Sequence, residues 1–230
     1  MTRASDSALP EPFADVEAVI QAAGRGERLG RGPKAFLSLG GRTLLERAVS
    51  AMRAVVGGVL AAVPTEEVER AQELCGPGVT IVAGGATRVE TLITLLASAH
   101  APWVVLHDVV HPFVTPELAR RVIETARVRG AAVAAIQSTS TAYHVEAGRA
   151  RGRVPAGDLW LTSKPWAFRR EAFVRGLAGP REPHAGTGGF LWRAGEEIAV
   201  VPTEPWNIKI TTAGDWQLAE VIERAGIPSA

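Results

Sequence analysis

The stretch QAAGRGERLGRGPKAF, Gln21 to Phe36, sets four glycines, three arginines and a Pro-Lys pair directly behind an apolar run. Glycines let backbone N–H groups close on phosphate oxygens and form an anion-binding nest. Arg25, Arg28 and Lys34 supply charge to balance a triphosphate, arginine as a bidentate fork and lysine as a mobile point charge for a departing pyrophosphate. A Walker A loop needs Gly-Lys-Ser/Thr, and here Pro33 precedes Lys34 and Ala35 follows it. A dinucleotide fingerprint needs G-x-G-x-x-G and an acid after the next strand. Glu66 or Glu67 could take that role, but the spacing Gly24, Gly26, Gly30 and the presence of Pro33 argue against it. A solvated turn with surface arginines is the bland alternative. Lys34, placed just before the apolar AFLSLGG, favours a positioned cation.

Two further residues carry chemistry. Asp108 ends the otherwise apolar WVVLHD and is the best candidate for a metal ligand, a carboxylate at a strand end holding Mg²⁺ between phosphates. Lys209 in NIKITT reads as a strand lysine between Ile208 and Ile210, costly to bury unless it meets an anion. Cys75 has no context that would activate it and reads as a small hydrophobe.

The elements that must position these residues alternate. VEAVIQAA, GGVLAAVP, VTIVAG, WVVLHDVV and AAVAAIQ are apolar runs of strand length. Between them lie amphipathic helices. One starts at a capping box of Thr43 and Glu46, and another runs from Thr115 at the N-cap and Pro116 at N1 to a Gly130 stop. EEIAVVPTE is a late strand, and the last helix opens on Thr212 and Asp215. Near-continuous apolar strands separated by helices predict an α/β fold: a Rossmann-like, mostly parallel sheet with helices on both faces. Ligands of such sheets bind beyond the carboxyl ends of the strands, where the glycine loop and HDVVHPF both fall. From about Ser138 the rhythm breaks, and residues 138–160 read as a protruding β-arm. GPREPHAGTGG reads as a polar loop.

The chain has 230 residues, 47% hydrophobic and 21% charged, with a formal charge of +1. That suits one domain over 15–230 behind a flexible tail at 1–14, and gives no basic excess for nucleic acid. No apolar run reaches the length of a membrane span. A single cysteine fits a reducing cytoplasm.

AAGRGERLGRGPKAFLSLGGRTLLE resembles the signature loop of the sugar-phosphate nucleotidyltransferases and is most similar to that of the 2-C-methyl-D-erythritol 4-phosphate cytidylyltransferases. The resemblance continues, in order, through GGATRVETL, VLHDVVHPF and NIKITTAGDWQLAE, covering about Val16 to Glu223. It implies CTP and a small phosphorylated polyol, methylerythritol phosphate, as substrates, Mg²⁺ as cofactor, pyrophosphate as product, and a homodimer joined through the arm. By this resemblance Arg28 and Lys34 stabilise the pentacoordinate α-phosphate and the leaving pyrophosphate, and Lys209 binds phosphates. Ala22, Ala23, Gly24, Arg25 and Gly26 make loop contacts. Gly84, Gly85, Arg88 and Thr91 lie near the cytosine, and Asp108 holds the metal.

The acceptor half departs from the family pattern. H-D-A-A-R-P-F stands as HDVVHPF, with His111 for the arginine, and Thr139 stands for an aspartate. Lys164, Pro165 and Trp166 replace Thr-Pro-Gln. Ala156 falls on or near an arginine that reaches across the dimer, with Arg151 and Arg153 close by, and the His184–Gly189 loop has no acid. These departures leave two rivals: the same chemistry on another polyol phosphate or phosphonate, and a non-catalytic nucleotide-binding paralogue. Retention of Arg28 and Lys34 argues against the second. A dinucleotide-linked oxidoreductase is the most distant alternative.

Overall fold

The computed structural model describes residues 10–27, 29–179 and 186–226. Arg28 and His184 lie outside the described residues. In chain order the elements are β1 (Phe13–Gln21), β2 (Ser38–Leu39), β3 (Arg42–Thr43), α1 (Leu44–Arg53), β4 (Val56–Val63), α2 (Val68–Cys75), β5 (Val79–Ala83), α3 (Arg88–Ser98) and β6 (Trp103–Asp108). Then come α4 (Pro116–Arg129), β7 (Ala131–Gln137), β8 (Ala142–Glu146), β9 (Arg149–Val154), β10 (Trp160–Arg169), α5 (Arg170–Leu177), α6 (Gly186–Arg193), β11 (Ile198–Pro202) and α7 (Ala213–Arg224).

Seven strands form one sheet in the order β11-β7-β10-β6-β1-β4-β5. All are parallel except β10, which runs against both β6 and β7. The apolar runs become strands because both faces are covered. On one face α1, α4 and α7 pack Leu45, Met52, Ile123 and Trp216 onto Val105 and Ala134. On the other, α3, α5 and α6 bring Leu95, Phe173 and Leu191 onto Val104 and Val133. Phe168 of β10 stacks on Phe173, which meets Phe190 edge-on, with centroids 5.1 and 5.3 Å apart, so the one antiparallel strand is well anchored.

The capping boxes at Thr43/Glu46 and Thr212/Asp215 both form, and Thr115 caps α4 with Pro116 inside its first turn. Four sequence expectations are corrected. The first strand begins at Phe13, inside the stretch read as tail, because Arg120 and Arg127 lie over the Phe13 ring at 4.6 and 4.5 Å. The segment after the arm, Trp160–Arg169, is a main-sheet strand, and the arm itself is only the β8–β9 hairpin. Gly186–Arg193 is helical although GTGG looked like loop, because Phe190 and Leu191 are buried against the sheet. Finally, Lys209 sits in an extended connection between β11 and α7, not in a strand. β11 already fills the sheet edge beside β7, so NIKITT has no strand to pair with, beyond the Ile210 N–H donating to the Val110 carbonyl at 2.8 Å.

Candidate active site

β1, β4, β5 and β6 all end on the same edge, and the connections after them enclose a cleft of about 600 Å³. The loop after β1 forms one wall. Gly26 has φ +73°, and a methyl built on it would overlap the carbonyl oxygen of Gly32 while lying 3.2 Å from Lys34 Cγ. The two ends of the loop therefore touch, which only a residue without Cβ allows. Gly84 is constrained in the same way, since a side chain there would overlap the Ala23 methyl.

Lys34 is nearly buried, and its ammonium donates to the carbonyls of Ile210 (2.9 Å) and Thr211 (3.3 Å). It thereby ties the glycine loop to the connection that carries Lys209. The Asp215 carboxylate fixes that connection from the other side, accepting from the Thr211 and Thr212 N–H groups at 2.8 and 2.7 Å. Lys209 is exposed and lines the cleft. Arg25 also lines it, 3.7 Å from Glu66, both side chains exposed.

The facing wall is the start of α3. Thr87 and Glu90 form a capping box there, and the Thr91 hydroxyl accepts from the Gly85 N–H at 3.1 Å, fixing the Gly84–Gly85 backbone. Arg88 leads from this helix start to Asp108, with Nη2 2.7 Å from Oδ2. Gln21, the last residue of β1, donates to the Arg88 carbonyl at 2.8 Å.

Beneath the cleft lies a buried polar cluster of His107, Asp108, His111, Ser163, Lys164 and Asn207. Lys164 Nζ stands 3.3 Å from Asp108 Oδ1. Burial pushes the Asp108 carboxyl up, but Lys164 first and Arg88 second outweigh it and hold the group at about 2. Burial pulls the Lys164 ammonium down, opposed by Asp108. Burial likewise takes His107 to about 3 and His111 to about 4, so both imidazoles are neutral at pH 7. His111 Nδ1 meets Ser163 Oγ at 3.3 Å.

Of the residues singled out from sequence, Ala23, Gly24, Arg25, Gly26, Lys34, Gly84, Gly85, Arg88, Thr91, Asp108 and Lys209 all line the one cleft. Ala22 does not: it is buried in the core, with its N–H bound to the Ala62 carbonyl at 2.8 Å. Sequence reasoning passed over Gln21 and Thr87, which also line the cleft. A polar residue closing an apolar strand and a Thr-x-x-Glu before a helix were the signals available for them. Cys75 is partly buried at the end of α2, and burial pushes its thiol up.

A magnesium ion on Asp108 was the expectation, since this ion takes oxygen ligands from one or two carboxylates together with phosphates and water. Asp108 Oδ2 accepts from Arg88, and Lys164 Nζ forms an ion pair with Oδ1 at 3.3 Å, although Oδ1 accepts no hydrogen bond from the described residues, so an ion seated on this carboxylate would be a third cation beside two already there. The residues present do not fit an ion seated on Asp108.

A Rossmann-like sheet whose carboxyl edge gathers a glycine loop, Lys34, Lys209, Arg25 and Arg88 around one cleft defines an enzyme of the nucleotidyltransferase class. Comparison with known proteins names the family. The family model for 2-C-methyl-D-erythritol 4-phosphate cytidylyltransferase (IspD) matches residues 16–225, and the chain belongs to that family. A cytidylyltransferase of that name from Thermus thermophilus is 39% identical over 216 residues, 91% of this chain and 98% of the relative. Its counterpart in Deinococcus radiodurans is 36% identical over 210 residues, 89% of this chain and 88% of the relative. A crystal structure of the Thermus thermophilus enzyme superposes with a TM-score of 0.78 at 33% identity, covering 93% of this chain and 100% of that one.

Proposed function

We propose that the protein transfers a cytidylyl group from CTP to 2-C-methyl-D-erythritol 4-phosphate in isoprenoid precursor synthesis. An oxygen of the acceptor phosphate forms a bond to the α-phosphorus of CTP. The α–β phosphoanhydride bond breaks, and pyrophosphate leaves with the electron pair. Both reactants are anions, so the protein's task is to neutralise and align them. Arg25 and the glycine-loop N–H groups take the triphosphate, with Arg28 assigned the same charge by family resemblance. Lys34 holds the α-phosphate and the leaving group. Lys209 faces the acceptor phosphate. Gly84, Gly85 and Thr91 offer small, fixed partners for the cytosine. The attacking phosphate is already ionised, so no base is required, in keeping with the neutral, buried His107 and His111. Magnesium belongs in this reading as the counter-ion of CTP, on the nucleotide's own phosphate oxygens.

The observation that carries the reading is that Lys34 and Lys209 line one cleft, with Lys34 bonded to the same connection that bears Lys209. Phosphorus NMR of CTP, Mg²⁺ and methylerythritol phosphate with enzyme tests it: two diphosphate-diester resonances and pyrophosphate should appear. No diester with this acceptor, but a diester with another polyol phosphate or phosphonate in parallel tubes, would move the assignment to that acceptor.

The same reading makes the protein a cytoplasmic homodimer through the β8–β9 hairpin. Tyr143 and Val145 are 58% and 61% exposed there, which is unusual placement for an aromatic and a β-branched residue on a two-stranded hairpin. Among the described residues no helix is long and apolar enough to cross a membrane.

A further inference from the structure

The buried cluster beneath the cleft contains a cation, Lys164, that the proposed reaction leaves unused. Trp166 pairs with Leu106 and Ala167 with Val105 in the antiparallel β10–β6 ladder. Continued past its last pair, that register sets Lys164 beside Asp108. The β10–β7 register shifts between Thr162 and Trp166, a bulge that re-aims the side chains of this turn of strand. The Lys164 backbone is held there, its carbonyl accepting from Asn207 Nδ2 at 2.8 Å, while Ser163 Oγ donates to the Asn207 carbonyl at 3.2 Å. The side chain is 7% exposed and ends 3.3 Å from Asp108 Oδ1, with Arg88 on Oδ2.

We infer that Lys164 is the resident cation of this site: its ammonium occupies the place on Asp108 that a divalent ion would otherwise take, so the metal that accompanies CTP is bound without Asp108. The inference rests on the cytidylyl-transfer reading and deepens it. A divalent ion on Oδ1 would stand beside a buried ammonium with little water to screen the two, a repulsion that grows as the local dielectric falls. Without either cation, Oδ1 would be a buried, half-paired carboxylate oxygen, which is costly. Lys164 balances the charge of Oδ1 without a hydrogen bond to it, and a second cation there would be repelled. The consequence for the cleft is that the charge of its buried Asp108 carboxylate is already balanced when a triphosphate arrives.

Manganese serves as the probe, its free ion counted by electron paramagnetic resonance during titration of protein saturated with CTP. Saturation is first shown by calorimetry. The native chain and Asp108→Asn should bind Mn²⁺ equally, within about twofold. Lys164→Met, which keeps the volume and removes the charge, should bind it at least about tenfold tighter, because the like-charged neighbour is gone. The double variant Lys164→Met/Asp108→Asn should lose that gain. A tenfold weakening of Mn²⁺ binding by Asp108→Asn alone would overturn the proposal, as would the absence of any gain in a cooperatively melting Lys164→Met. If that variant does not fold, Lys164→Gln replaces it, and the native against Asp108→Asn comparison still decides. Failure of the native chain to bind CTP at all would overturn the transfer reading and this proposal with it. Failure of the Lys164 proposal alone leaves CTP binding intact.

Discussion

Gly26 gives the sharpest test of the loop geometry. Its φ of +73° and the closeness of Gly32 act on the same residue, whereas Gly30, at φ +67°, has open space around its Cα. Replacing either by alanine costs about 1 kcal/mol for the left-handed backbone. At Gly26 the methyl must also displace the Gly32 carbonyl, an overpacking cost of about 1–3 kcal/mol. Of the described loop residues 24–33 only Leu29 reaches the core, so the free protein relieves most of this strain by opening the rest of the loop, and its melting temperature moves little. CTP binding must then re-form the loop and bears the whole cost. The sum of about 2–4 kcal/mol weakens CTP by about 30- to 1,000-fold in Gly26→Ala, and the single term of about 1 kcal/mol weakens it by about fivefold in Gly30→Ala. Titration calorimetry on both variants, with thermal melts alongside, measures the difference. Equal losses in the two variants would refute the claim that contact between the loop ends shapes the phosphate site.

Other expectations follow from single interactions. Thr87→Ala removes the cap of α3 and should cost about 1 kcal/mol in denaturant unfolding, and it should raise KM for CTP because Arg88 and Thr91 sit in that first turn. Asp108 carries a pH signature. Its carboxyl is held at about 2 against an ordinary 3.8, so its stabilising pair is fully formed above about 4 and is lost as pH falls through about 2. Asp108→Asn should therefore melt lower than the native protein at pH 7, and the gap should close on acidification from pH 5 to pH 2. A constant gap would contradict the pairing. Replacing Tyr143 and Val145 together by lysine should turn a dimer into a monomer in sedimentation equilibrium while leaving the far-ultraviolet circular dichroism unchanged. A native chain already monomeric at micromolar concentration would remove the arm's assigned role.

Much of the fold was legible because the parallel strands are buried on both faces and so read as apolar runs, as in VVLH and AAVAAI. Capping boxes at Thr43 and Thr212 are local devices and were equally legible. β10 was not, because a strand containing Ser163, Lys164 and Pro165 breaks the apolar rule at the point where a bulge and a polar cluster accommodate it. α6 hid behind three glycines, its helicity imposed by tertiary burial of Phe190 and Leu191 rather than by propensity. Lys209 showed the reverse error: Ile-Lys-Ile alternates like a strand, but strands need partners. At the site, the glycine loop announced itself by local spacing, whereas the residues at the α3 start were reached only through the family resemblance and the Thr87 cap was passed over. The Lys164–Asp108 pair depends on the register of an antiparallel strand entering from far along the chain, which no local pattern encodes.

The central claim is that Lys34 stabilises charge on the phosphates in cytidylyl transfer to methylerythritol phosphate. Pyrophosphate release from CTP and that acceptor, native beside Lys34→Ala, tests it most directly. Release by the native enzyme is expected, with a fall of about 100- to 1,000-fold in kcat for a variant that still melts cooperatively. Native-level release by Lys34→Ala, or none from a native chain that binds CTP, would contradict it.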